Sequence, residues 1–329
     1  RAAFLMDRVM GMAGLEGRAF VALLSSVACA IPGIMATRTL PSAKDRIATM
    51  MGAPLMTCSA RLPVYTLLIA MVVPGDLFWG PFQVQGTIMF GLYLLGSVSA
   101  MIAAWVFKRV TGRSGTVMPF YMEMPAYQIP SARSVIIAVW DACKSFLRKV
   151  AGIIMATTIV LWALLNFPTH SEDAMTAAGV DVGDEAAVTA YTLDNSYAAA
   201  IGRAVSPVFD PLGFDWRINI GVLSSLAARE VVVATLGQVA AAEDPEDPSE
   251  ALEQMTYTDG PHAGEPVFTA PTVTALLLFF AYALQCASTL GVLRRETGTW
   301  RWPVVAFVYM GVVAWVMAFL GSGIARLIT

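Results

Sequence analysis

The sequence predicts an all-α polytopic membrane protein, built on inverted repeats that contain broken, re-entrant helical hairpins. Three observations predict it. The 329 residues are 57% hydrophobic and 14% charged, with a mean hydropathy of +0.65, whereas soluble domains carry about 25% charged residues. Several windows reach the ~20 apolar residues that a spanning helix needs. Two short motifs recur in the same order, and three apolar regions are interrupted near their middles. A net charge of −3 argues against nucleic acid, which wants a basic face. The chain begins on Arg1, with no cleavable leader in "RAAFLMDRVMGMAGLEGRAF", and reads as a piece of a longer protein.

From the N-terminus, the first apolar stretch, "LLSSVACAIPGIMATR" (Leu23 to Arg38), carries Pro32-Gly33 in its interior. It is expected to dip into the membrane and turn near that pair. Ile47 to Pro74 is apolar but interrupted by Pro54, Arg61 and Pro63. Val84 to Phe107 is free of charge and reads as an uninterrupted span. Lys108 to Lys149 holds seven Lys or Arg against two acids, which places it in the cytoplasm. Val150 to Pro168 is a shorter span. Thr169 to Trp216 carries eight acids and one base, and Glu243 to Pro266 eight acids and no Lys or Arg; both are expected outside. Ile218 to Ala242, lying between them, must then enter and leave on one side, as a re-entrant hairpin turning near Arg229-Glu230. Phe268 to Leu293 and Trp302 to Ala325 are uncharged spans, joined by a cytoplasmic loop with Arg294, Arg295 and Arg301. The expected division is residues 1–133 as the first repeat, 134–168 as an amphipathic linker helix and span, 169–216 as an acidic loop, and 217–329 as the second repeat with acidic loop 243–266 and two C-terminal spans. Irregular backbone at membrane depth must be buried in protein or line a wet cavity, so the two hairpins are expected to meet inside the protein.

The repeat rests on Leu24-Ser25-Ser26-Val27-Ala28 against Leu223-Ser224-Ser225-Leu226-Ala227, then "TCSARLPV" (57–64) against "QCASTLGV" (285–292), with Cys58 on Cys286. Weak internal symmetry with interrupted segments in matching places is the pattern of a transporter with a midplane site.

The chemistry inside the apolar segments is sparse. Cys29, Cys58 and Cys286 offer sulfur, which suits soft or borderline metals such as Cu(I), Zn and Fe(II), with Met35 and Met56 as neighbours. A buried free cysteine also serves simply as a small hydrophobe. Ser25, Ser26, Ser59, Ser224 and Ser225 offer oxygen to a cavity or, equally, small side chains for helix packing. Glu230 costs about 2.5–3.5 kcal/mol to insert at a membrane centre, so it needs a metal or proton role, or an ion pair with Arg229 or Arg61. Arg61 fits a structural role on hairpin carbonyls or beside an acid. Cys143, in a basic stretch, reads as structural. His170 and His262 both fall in outside loops, which excludes a multi-histidine site in the membrane. No Gly-Lys dipeptide occurs, so the phosphate-binding G-x-x-x-x-G-K-[ST] loop is absent and no such nucleotide site is expected in this chain.

"GLEGRAFVALLSSVACAIPGIMATRT", "DRIATMMGAPLMTCSARLPVYTLLIA", "LAAREVVVATLG" and "QCASTLGVLRRETG" together resemble the membrane region of the ferrous iron transport protein B family. The likeness covers essentially the whole chain. It implies a multi-pass importer of Fe²⁺ in a bacterial or archaeal inner (plasma) membrane, with two gate repeats and no enzymatic activity in this region. It implies partners as well: the lipid bilayer, a GTP-binding domain in cis or in trans, and small cytoplasmic accessory proteins. Homo-oligomerisation stays open. The family's membrane cysteines fall on Cys29, Cys58 and Cys286, for which the resemblance implies iron ligation. On this expectation Glu230 adds charge, Ser25 and Ser224 add oxygen, and Pro32-Gly33 frees carbonyls at the turn. The alternative is a nucleoside or small-metabolite carrier, for which Asn219 and Gln238 would supply amide groups.

Overall fold

The structure, a computed structural model, describes residues 2–75, 77–111, 130–169, 172–177, 179, 183, 185–227, 229, 231–240, 249–257, 264–283 and 286–328. In chain order the helices are α1 (Ala2–Met12), α2 (Ala19–Ala28), α3 (Ala30–Ala36), α4 (Ala43–Gly52), α5 (Leu62–Val72) and, after a two-stranded hairpin pairing Phe78–Trp79 with Phe82–Gln83, α6 (Val84–Val110). Then come α7 (Ala132–Asn166), α8 (Glu172–Ala177), α9 (Glu185–Asp194), α10 (Tyr197–Phe209), α11 (Trp216–Ser224), α12 (Val231–Val239), α13 (Ser249–Glu253), α14 (Ala270–Tyr282), α15 (Ala287–Thr297) and α16 (Arg301–Ile328). The protein is an all-α polytopic membrane protein. Four helical stretches are long and apolar enough to cross a bilayer: Ala43–Val72, Val84–Val110, Ala270–Thr297 and Arg301–Leu327.

The expected spans Val84 to Phe107, Phe268 to Leu293 and Trp302 to Ala325 fall in three of these stretches and the broken region Ile47 to Pro74 in the fourth, while Val150 to Pro168 falls in a shorter apolar helix, Ala151–Asn166. The linker and the span after it form one continuous 35-residue helix, α7. Phe268 to Leu293, expected to be uninterrupted, is broken: α14 ends at Tyr282, Ala283 is extended (φ −66°, ψ 140°), and α15 starts at Ala287. The break aligns with the one in Ala43–Val72, where 3₁₀ turns at Ala53–Leu55 and Ser59–Arg61 flank Met56 to Cys58.

The chain divides into two compact units. One comprises Arg1–Ser59, Leu95–Ala156 and Ser288–Ala306; the other Ala60–Leu94, Thr157–Ala287 and Phe307–Thr329. In the first unit, α2 and α3 pack as a tight hairpin. A Cβ on Gly33 would collide with the Ser26 hydroxyl and come within 2.7 Å of the Ala22 carbonyl oxygen. Gly52 of α4 approaches the backbone of α6 so closely that a Cβ would lie 2.7 Å from the Ala100 carbonyl oxygen; small residues permit this approach. In the second unit α11 and α12 form the corresponding hairpin, and α10 packs along α11. There Asn219 donates through Nδ2 to the Gly202 carbonyl (3.2 Å) and to Ser206 Oγ (3.3 Å).

The structural repeat is longer than the sequence motifs. With Leu24 on Leu223, Gly14 falls on Gly213, and both are left-handed, with φ of 71° and 78°. Buried Leu15 falls on buried Phe214. Glu16–Arg18 and Asp215–Arg217 are ion pairs, at 3.3 and 2.7 Å. The signal was present in the sequence as "GLEGR" and "GFDWR". Each copy therefore runs: glycine turn, acid-x-Arg, hairpin, broken span, unbroken span. The two unbroken spans match too. Placing Lys108 on Arg326 sets the buried Gly96, Ala100 and Ala104 of α6 on the buried Ala314, Ala318 and Ser322 of α16.

Candidate functional site

Pro32 sets the geometry of the first hairpin from four residues away. It lies in the first turn of α3, where a missing N–H is tolerated. In a continuous helix that N–H would have served the Ala28 carbonyl. The helix instead stops at Ala28, and Cys29 takes an extended conformation (φ −158°, ψ 137°). The turn is thus at Cys29, three residues before the Pro32-Gly33 pair expected to make it, and Gly33 acts as a close-approach glycine inside α3. The Ala28 carbonyl accepts a hydrogen bond from Ser59 Oγ at 3.1 Å. This bond joins the residue before Cys29 to the residue after Cys58, so the two broken segments meet beside their cysteines. Both cysteines are half-buried and free of disulfide. Ser25 Oγ donates to the Val21 carbonyl and Ser26 Oγ to the Ala22 carbonyl, each at 2.8 Å, a local pairing that bends helices. The break of the adjoining span is braced by Gly96 of α6, where a Cβ would collide with Thr57 Oγ1 and lie 3.1 Å from the Leu55 carbonyl oxygen. Met56 is buried beside it and Met35 half-buried on α3.

The second unit repeats the device. α11 ends at Ser224, whose hydroxyl donates to the Gly221 carbonyl at 2.7 Å, and Ser225 donates to the Val222 carbonyl. Past the turn, the Leu226 carbonyl accepts the backbone N–H of Ala287 at 2.9 Å. Ala287 follows Cys286 as Ser59 follows Cys58. Arg229, 6% exposed, donates to the Ala283 carbonyl at 3.4 Å, so it serves a carbonyl released by the break between α14 and α15. Arg61 is fully buried in the same unit.

The structure thus links the segments that carry Cys29 and Cys58 in one unit, and in the other it links the turn after Ser224, and Arg229, to the segment that carries Cys286. Glu230 lies outside the described residues. Among the described residues, no three of His, Cys, Asp and Glu converge as a metal-binding group. Sequence reasoning missed Ser59 and Ala287 as the residues that tie each cysteine segment to its hairpin; the one-residue offset after each matched cysteine was the available signal.

Comparison with known proteins agrees with this architecture. The sequence model described as the ferrous iron transport protein B C terminus matches residues 89–141. The Gate model, described as nucleoside recognition, matches residues 1–72 and 147–300. The chain is 40% identical over 320 residues to the Fe(2+) transporter FeoB of Leptospira biflexa, covering 97% of this chain and 44% of that protein. It is 33% identical over 330 residues to the Fe(2+) transporter FeoB of Methanocaldococcus jannaschii, covering 100% of this chain and 44% of that protein. A Porphyromonas gingivalis protein named Fe(2+) transport protein A/Fe(2+) transporter FeoB fusion protein is 36% identical over 339 residues, covering 97% of this chain and 39% of that protein. The chain therefore spans less than half the length of these relatives. No solved structure matches it.

Proposed function

Because the chain belongs to the ferrous iron transport protein B family, we propose that it forms a plasma-membrane path for Fe²⁺ uptake, lined by its two gate hairpins. The observation that carries this reading is the repeated tie: in each unit the residue after the matched cysteine is hydrogen-bonded to the broken end of the hairpin. Cys29, Cys58 and Cys286 sit where two segments have released backbone carbonyls at membrane depth, a cost tolerated where the backbone lines a cavity. On this reading the cysteines supply sulfur, Ser25 and Ser224 supply oxygen, Glu230 supplies charge, and Met35 and Met56 border the path. Their ligation is weak enough to release the ion, since conduction needs both binding and exit. Arg61 and Arg229 hold the hairpin backbones.

The recurrence of glycine turn, acid-x-Arg and hairpin in both units supports reading the two as gate repeats of one path. Regulation by a GTP-binding domain, in cis or in trans, belongs to the same proposal. So does a small accessory partner, for which the Porphyromonas fusion relative is the support.

The test is uptake into proteoliposomes holding the chain together with its GTP-binding domain. Fe²⁺ is expected to enter while a nucleoside does not, and a Cys29→Ser, Cys58→Ser double change is expected to cut Fe²⁺ entry at least tenfold at equal protein level. Uptake of the nucleoside instead would establish the rival carrier. Asn219 speaks against that rival, because its amide N–H groups are engaged by α10.

A further inference from the structure

A cavity of about 480 Å³ lies inside the second unit, among α10, α11, α14 and α16. That volume falls within the range of about 300–1,000 Å³ typical of small-molecule sites. Among the described residues, only Asn219 and the Trp315 indole bring a polar side-chain atom to its aliphatic and aromatic lining. Trp315 commits its Nε1–H to the Val208 carbonyl at 2.9 Å. Asn219 is 5% exposed. Its Nδ2 donates to the Gly202 carbonyl and to Ser206 Oγ of α10, which fixes the amide and leaves Oδ1 over. That oxygen is buried and accepts no hydrogen bond. The first repeat has Phe20 at the matching position, so the acceptor belongs to one copy alone. Val208, Phe307 and Val312 line the cavity and are also exposed, and the last two lie on the membrane-spanning α16. The cavity therefore opens toward lipid. On α16, a Cβ at Gly311 would meet nothing within 4 Å, so the glycine leaves room beside the cavity it lines.

We infer that this cavity binds an apolar molecule of the bilayer that carries one hydroxyl, its hydrocarbon body against the apolar wall and its O–H donated to Asn219 Oδ1. A buried acceptor left unpaired is costly, and a donor is what the lining lacks. A water does not answer the need, because a buried water requires two to four polar partners and the wall offers one. A nucleoside or a charged metabolite would leave its remaining polar groups unpaired against hydrocarbon. A plain acyl chain fills the volume but leaves the acceptor bare. A hydroxyl on a hydrocarbon body satisfies both the wall and the amide. The position gives the site its interest. Leu226 and Ala283 also line the cavity, and their carbonyls accept Ala287 N–H and Arg229 at the second break. A bound molecule therefore lies against both sides of that break, reached from lipid and independent of what the gates transport.

The probes are bromodecanol and bromodecane, which differ by one hydroxyl and quench tryptophan fluorescence on contact. The full chain is held in phosphatidylcholine bilayers, whose lipid carries no hydroxyl to compete. The Trp315 signal is the part of the quenching that Trp315→Phe removes. Bromodecanol is expected to half-quench Trp315 at a bilayer concentration at least fivefold below that of bromodecane. Asn219→Leu is expected to make the two probes equal. Because Asn219 also joins α10 to α11, Gly311→Leu supplies an arm that leaves the amide alone: it fills the cavity from α16 and should raise the half-quenching concentration of bromodecanol at least fivefold. Equal quenching by the two probes in the wild type makes the cavity an unselective lipid groove and overturns the site. Bromodecanol quenching unchanged in Gly311→Leu, or abolished by uridine, overturns it as well.

Discussion

The two repeats share a plan and differ in how firmly each is closed. The first is locked by charge and by backbone contact: a nearly buried Lys108–Asp45 pair that closes the seam beside Gly14, a glycine packed on backbone, and a helix stop imposed by Pro32. The second relies on softer parts. Its terminal base Arg326 is exposed, its seam beside Gly213 opens into a cavity of about 610 Å³, and its hairpin glycine Gly221 faces the flexible end of Leu236. A gate that must yield is better built from such parts, because local opening follows from few rigid contacts.

The largest expected difference is at the seam. Lys108→Met leaves Asp45 nearly buried with its ammonium partner removed. Breaking such a pair costs about 3–5 kcal/mol, and unfolding in detergent micelles should show a drop of that order. Arg326→Met removes an exposed group that donates to the Pro211 carbonyl and should cost under ~1 kcal/mol. Equal losses would mean that the first seam is no more closed than the second.

The hairpin glycines come next. In Gly33→Ala the new methyl meets Ser26 and the Ala22 carbonyl, neither of which can withdraw without moving α2. Overpacking of this kind costs about 1–3 kcal/mol. In Gly221→Ala the nearest atom is Leu236 Cδ2 at 3.1 Å, which can rotate away, and the expected cost is under ~1 kcal/mol. Thermal unfolding and Fe²⁺ uptake of the pair, side by side, measure the asymmetry directly.

Much of this plan was legible in the sequence, and what was hidden was hidden for definite reasons. Runs of apolar residues gave the spans, and the scarcity of Lys and Arg in the flanking acidic stretches 169–216 and 243–266 gave the second hairpin. "LSSVA" and "LSSLA" gave the repeat because serines in apolar helices are conspicuous. The stripe Gly96-Ala100-Ala104 was not paired with Ala314-Ala318-Ser322, because small residues every fourth position look alike in any packed membrane helix. Pro32 was recognised as a breaker, but its effect falls on the carbonyl it fails to serve, at Ala28, so the turn moved to Cys29. The break at Ala283 carries no Pro or Gly, so tertiary contacts, among them those of Leu226 and Arg229, must hold it open. The cysteine positions were legible; that each is tied to its hairpin through the next residue required coordinates.

That tie yields the smallest and most specific difference. In the first repeat it is a side-chain bond, Ser59 Oγ to the Ala28 carbonyl, and Ser59→Ala removes it at about 1 kcal/mol. In the second it is a backbone bond, Ala287 N–H to the Leu226 carbonyl, which no ordinary side-chain substitution touches. Ala287 is the first residue of α15, a position where proline suits a helix and its missing N–H is not used within the helix. Ala287→Pro therefore deletes the tie while leaving α15 its own hydrogen bonds, again at about 1 kcal/mol. If the ties position the cysteines, both variants should, beyond that small loss of stability, raise the half-saturating Fe²⁺ concentration per folded molecule several-fold. If they are only structural, stability falls by that kilocalorie and uptake kinetics per folded molecule stay where they were.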